Sequence, residues 1–203
     1  MKYNPEQHHR HSIRLQGYDY TQPGGYFITL VTQNRECLFG DIDDGKMVLN
    51  GFGKIIDSHW QKIPSHFKYV ELDVFQIMPN HIHGIIIITE NEGGAKHSDT
   101  QIANICIKPA LNASSIQSIS VTNTSSIQYQ QPHGAQPGSL AAIIQNFTSV
   151  TSRKINHIRN TPGRKLWQRN YWEHIIRDDN DLNHIREYIV NNPLGWGTDE
   201  ENL

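Results

Sequence analysis

The sequence predicts an α+β fold: an antiparallel β-sheet with helices packed on one face, plus a long polar insertion. Two observations carry this reading. Short β-branched runs with strand periodicity alternate with segments of helical periodicity, and two of the strand runs are joined by only a Pro-Asn turn. The length of 203 residues, with a net charge of -2, fits one domain with a sizeable core.

The elements follow in order. Gly25 to Thr32 (GYFITLVT) is rich in β-formers and follows Pro23-Gly24, so it reads as the first strand. Met47 to Leu49 reads as a short strand. Phe52, Ile55, Ile56, His59, Trp60 and Ile63 recur at three- and four-residue steps, a helix that Pro64 stops. Val70 to Met78 alternates as a strand with Leu72, Val74 and Gln76 on one face. Pro79-Asn80 turns the chain into a second strand, His81 to Thr89, and the pair forms an antiparallel hairpin. Ser139 caps a helix running through Leu140, Ile143, Ile144, Phe147 and Ile155. Trp167 to Ile176 reads as the last strand. Asp178 or Asp179 then caps a helix through Leu182, Ile185 and Ile189 that ends before Pro193. This order suits a ferredoxin-like or RRM-like sandwich.

Composition marks one segment off from the rest. Between Ser98 and Gly138, 19 of 41 residues are Ser, Thr, Asn or Gln, with almost no charge. Such a stretch cannot bury enough apolar surface to offset its ordering entropy. Residues 91–137 are therefore expected to be a low-complexity insertion or linker within a single domain spanning 1–203. No apolar run reaches the roughly 18 residues of a membrane span, and the N-terminus has no signal-peptide core. Two cysteines, Cys37 and Cys106, make neither a disulfide framework nor a metal pair, which points to the cytoplasm.

The small net charge hides a polarity. Gly138 to Arg177 holds seven basic residues and one acid, whereas Asp178 to Leu203 holds seven acids and one base. The basic stretch, with Arg153, Lys154, Arg159, Lys165, Arg169 and Arg177, is either a solvated surface or a set of phosphate contacts. Trp167, Tyr171 and Trp172 lie in the same stretch and are candidates for stacking on unpaired bases, with core packing the competing role. The N-terminal His8, His9 and His11 read as solvated tail.

The most informative segment is Met78-Pro79-Asn80-His81-Ile82-His83-Gly84. Residues two apart on a strand share a face, so His81 and His83 present two imidazoles side by side while Ile82 enters the core. Two imidazoles are good but insufficient ligands for a divalent ion. On the last helix, at 100° per residue, Tyr188 and Asn192 fall next to each other along one edge of the apolar stripe. A phenol is a nucleophile and a carboxamide oxygen is a hard donor suited to Mg²⁺ or Mn²⁺. Taken singly, each of these residues also has an ordinary packing or surface role.

Three separated motifs occur in one order: His81-Ile82-His83 on a strand, then Trp167 to Arg177 (WQRNYWEHIIR), then Arg186 to Pro193 (REYIVNNP). In this they resemble the HUH single-tyrosine transposases, and within them the REP-associated tyrosine transposases. The resemblance covers most of residues 8–90 and 138–197 and omits the insertion. It implies one HUH transposase-like catalytic domain in which His81, His83 and Asn192 hold a divalent metal, Mg²⁺ or Mn²⁺, and Tyr188 is the nucleophile. Tyr171 is the alternative, but it has no polar residue one helical turn on. The implied reaction is cleavage and rejoining of single-stranded or hairpin DNA through a 5′-phosphotyrosine. By its place one turn before Tyr188, His184 is either a base for the phenol or an ordinary surface histidine. The competing readings are a domesticated, non-cutting nucleic-acid-binding module on the same fold, and a metal hydrolase using bound water. Monomer and homodimer are both open, and no membrane partner is expected.

Overall fold

The computed structural model describes Leu15, residues 17–90 and residues 135–202. The bulk of the polar insertion, Cys106 and the histidines His8, His9 and His11 lie outside the described residues.

Strands β1 (Gly24–Val31), β4 (Val70–Ile77), β5 (His81–Ile88) and β6 (Trp172–Ile176) form one antiparallel sheet in the order β4-β5-β1-β6. A separate hairpin joins β2 (Gly40–Asp43) to β3 (Lys46–Leu49). The helices are α1 (Gly51–Trp60), the single-turn α2 (Ile63–His66), α3 (Leu140–Ile158) and α4 (Asp179–Asn191). Taken without the small hairpin, α2 and the final helix α4, the order is βαββαβ with the first and third strands central, the antiparallel α+β sandwich that the sequence predicts.

Caps fix the helix starts. The Asn50 side chain accepts from Phe52 and Gly53 N–H at the start of α1. Ser139 accepts from Ala142 N–H at α3, and Asp178 accepts from Asp181 N–H at α4. Each satisfies donors that the helix itself leaves open.

The faces of the sheet divide the molecule. Tyr26, Ile28 and Leu30 of β1 and Ile82, Ile86 and Ile88 of β5 pack with Ile56 and Trp60 of α1 and with Ile143, Phe147 and Ile155 of α3. Phe27 and Ile85, of the opposite parity, pack with Ile176 and with Ile189, Leu182 and Ile185 of α4. Helices α1 and α3 thus form the expected single-face layer, and α4 adds a second layer on the other face. A five-residue β6 places Asp178 at the far end of the sheet, from where α4 runs back across it. Because β-strand side chains alternate, His81 and His83 share the α4 face with Phe27 and Ile85.

Three local readings differ. Helix α1 ends at Trp60, before the expected stop, and Pro64 sits instead in the first turn of α2, where its missing N–H costs no helical bond. Register slips between Leu72 and Phe75 on β4, so Leu72 and Phe75 both face α1 and α3 while Val74 joins the α4 side. The extra residue of a bulge flips the parity beyond it. Gln76, paired with His83, therefore does share a face with Val74, but Leu72 does not. The last strand is shorter than expected: Trp167 makes only an isolated bridge to Thr32, and its buried indole N–H donates to Thr151 Oγ1 at 3.0 Å. Gly84 has a packing reason. A Cβ there would fall 2.4 Å from the indole of Trp60, which stacks on Phe75 at 4.5 Å.

Candidate active site

Strand β5 sits centrally in the sheet, so its first three residues are buried on all sides; His81 and His83 are 0% and 3% exposed. Their Nε2 atoms lie 3.0 Å apart. Each ring is held through its other nitrogen. His81 Nδ1 lies 2.8 Å from Asn80 Oδ1, and His83 Nδ1 lies 2.8 Å from Thr29 Oγ1. The Asn80 amide donates to the carbonyls of Arg35 and Glu201, which turns its oxygen toward His81. That oxygen only accepts, so His81 carries its proton on Nδ1 and offers a bare Nε2. His83 has two options. With its proton on Nε2 it donates to His81; with the proton on Nδ1, donating to Thr29, both Nε2 lone pairs point into the same space.

Burial keeps both rings neutral. It lowers the His81 pKa to about 4 against the opposing pull of the Asp199 carboxylate and the Asn192 side chain. Burial and then the neighbouring His81 hold His83 well below the usual imidazole value. A neutral imidazole is the form that ligates metals.

Asn192 closes α4 as its C-cap and is 6% exposed. Its Nδ2 donates to Asp199 Oδ2 at 3.0 Å, while its Oδ1 is buried with no hydrogen-bond partner among the described residues. Asp199 was not legible in the sequence. It follows the 3₁₀ segment Asn192–Thr198, which folds the chain back over the site and brings the Trp196 ring 6.0 Å from that of His81. The ligand atoms of His81, His83 and Asp199 all lie within 4.8 Å of one another. Two neutral nitrogens, a carboxylate and an unpartnered carboxamide oxygen beside them form a donor set that fits a divalent cation.

Tyr188 stands at the same place. Its hydroxyl is 3.4 Å from His83 Nε2 and its ring lies 6.0 Å from Phe27, edge to face. Half of the side chain is open to a cleft of about 970 Å³. An ion pair between α4 and β4 holds this arrangement: Arg186 Nε donates to Asp73 Oδ1 at 2.9 Å, and its Nη2 reaches Asp73 Oδ2. Asp73 lies in the bulge that shifts the register of β4. At the other end of α4, His174 Nε2 donates to Asp181 Oδ2 at 2.8 Å.

The structure therefore brings together His81, His83, Tyr188 and Asn192. It places Tyr171 elsewhere, half-buried against the α1–α3 core. Trp167 is also a core residue, whereas Trp172 is exposed on the cleft. None of Arg153, Lys154, Arg159, Lys165, Arg169 and Arg177 lines the cleft. Arg153, Lys154 and Arg159 belong to α3 and its C-cap, on the other side of the sheet, and Arg159 pairs with Glu36 at 2.9 Å. His184 and Glu187 border the cleft beside Tyr188, together with Asp199 and Glu201.

No family model matches the chain. An uncharacterized protein of Haemophilus influenzae is 40% identical over 203 residues, covering 98% of this chain and 96% of its own length. A second Haemophilus influenzae protein, named "Putative REP-associated tyrosine transposase", is 24% identical over 183 residues, 88% of this chain and 75% of the relative. A solved structure of a REP-associated tyrosine transposase bound to a REP hairpin has a TM-score of 0.49 and 15% identity, over 92% of this chain and 76% of that one. Among the described residues no helix is long and apolar enough to cross a membrane. With three motifs in order, a tyrosine at the histidine pair, and a sequence relative of that name along most of its length, the chain resembles the REP-associated tyrosine transposases.

Proposed function

We propose that this protein is a divalent-metal-dependent endonuclease and strand transferase acting on single-stranded or hairpin DNA through a 5′-phosphotyrosine on Tyr188. The observation that carries the reading is the meeting of the Tyr188 hydroxyl with His83 Nε2, itself 3.0 Å from His81 Nε2.

The charge of the cleft supports a cation requirement. Glu187, Asp199 and Glu201 border it, the last paired with Arg35 at 3.0 Å, and among the described residues no Lys or Arg lines it. A phosphodiester entering there meets carboxylates, so an added positive charge must offset them. His81, His83, Asp199 and Asn192 Oδ1 would hold that cation, Mg²⁺ or Mn²⁺. When bound, it would supply Lewis-acid polarisation of a non-bridging phosphate oxygen. The protein's residues do the rest. Phe27 and α4 fix the phenol beside the histidine pair, and half-exposure leaves it accessible to DNA. Its attack on the phosphorus forms the Tyr–O–P bond as the P–O3′ bond breaks, and the leaving oxygen takes a proton from solvent water to become the 3′-OH; the reverse step rejoins strands without ATP. The phenolic proton must leave, since the free phenol has a pKa near 10. His184 and Glu187, both on the cleft, are the candidate acceptors.

Incubation of the protein with labelled single-stranded hairpin DNA and Mn²⁺ tests the reading. The expected result is a protein–DNA adduct that survives denaturing electrophoresis, abolished by EDTA and by His83→Ala. Salt-sensitive binding without an adduct would instead support the non-cutting module, and cleavage without a protein-linked product would support the water-using hydrolase.

A further inference from the structure

We propose that Trp172 is a stacking platform for an unpaired nucleobase of the strand whose phosphate reaches Tyr188; this rests on the functional reading above. Of the four tryptophans, Trp60 and Trp167 are buried and Trp196 is half-buried, whereas Trp172 is 44% exposed. An indole left open to water forfeits burial that a core position would recover. Its place is not a random surface. Trp172 opens β6, pairs with Thr29 on the site face of the sheet, and lines the same cleft as His83 and Tyr188.

The indole is also held in position. Its ring lies parallel to that of His174 at 6.1 Å, with only 6° between the planes, and His174 is anchored by Asp181. Phe27 meets the indole edge to face at 5.3 Å and meets Tyr188 in the same way at 6.0 Å. A row of aromatic rings thus leads from the exposed indole to the phenol, with the indole at its open end. Bases stack on such pre-positioned rings regardless of identity, and a duplex cannot offer a base face in this way. The Glu187 and Asp199 carboxylates on the rim favour a contact made through the base rather than through a second phosphate.

Fluorescence anisotropy with two labelled strands of about 16 nucleotides, one oligothymidylate and one abasic, tests the proposal in Mn²⁺. Wild-type protein is expected to bind the base-bearing strand about tenfold more tightly than the abasic strand. Trp172→Ala should remove most of that preference, and Trp172→Phe should retain part of it, each with an unchanged thermal midpoint. Equal wild-type affinity for the two strands overturns the proposal, and so does a preference that survives in Trp172→Ala. Should the alanine variant not fold, the wild-type comparison and Trp172→Phe still decide. The cleavage reading is judged separately by the wild-type adduct on hairpin DNA, which can fail while the base preference remains.

Discussion

The Nε2 atoms of His81 and His83 face each other at 3.0 Å inside the sheet, and such a pair tolerates no proton gained by both. The unfolded chain binds a proton on His81 near pH 6.5, but the folded chain does so only near pH 4, because burial disfavours the cation. Between those values the unfolded state holds more protons. Stability of the metal-free protein is therefore full above pH 6.5 and is lost as pH falls from 6.5 toward 4, by on the order of 3 kcal/mol for His81, with His83 acting in the same direction. Urea denaturation at several pH values checks this, and His81→Gln should flatten the slope. Saturating Mn²⁺ should raise the denaturation midpoint, as any ligand of the folded state does. Asp199→Ala and Asn192→Ala should each weaken Mn²⁺ binding by about tenfold or more, measured by calorimetry. The two histidines and Asn192 were readable from strand and helix periods. Asp199 was not, because it lies in an irregular segment where no period connects it to β5.

At the scale of elements, the Asp73–Arg186 pair ties α4 to the edge strand β4, as the His174–Asp181 pair ties it to β6. It joins a bulged edge strand to the residue two before Tyr188, so it sets where the phenol stands over His83. Asp73→Asn should slow adduct formation by roughly tenfold while leaving Mn²⁺ affinity within about twofold, since it moves the helix and not the histidines. The cost in stability should be about 1 kcal/mol, since the Arg186 side chain is 38% exposed and screened by solvent. Single-turnover rates and Mn²⁺ titrations separate the two effects. The bulge explains why the alternation of Val70 to Met78 misled: one extra residue moved Phe75 to the face expected of Gln76. Likewise, Trp167 was legible as an aromatic in a β-rich run, but its indole N–H found Thr151 in the α3 layer, which a single-strand pattern does not encode.

The whole molecule separates its duties by face. Helices α1 and α3 close one side of the sheet as an apolar core, and α4 with the C-terminal turns builds the cleft on the other. That division was hidden in the sequence because an amphipathic pattern tells that a helix packs on a sheet and not on which side. All site residues lie outside 91–137, so replacing residues 93–133 with a glycine-serine linker of about ten residues should leave the thermal midpoint and adduct formation unchanged. In the proposed function the bond to DNA forms on Tyr188. Proteolysis of the adduct followed by tandem mass spectrometry locates that bond. The expected result is a nucleotide-bearing peptide modified at Tyr188 and no adduct from a folded Tyr188→Phe protein. A modification mapped to Tyr171, or an undiminished adduct from Tyr188→Phe, would contradict it.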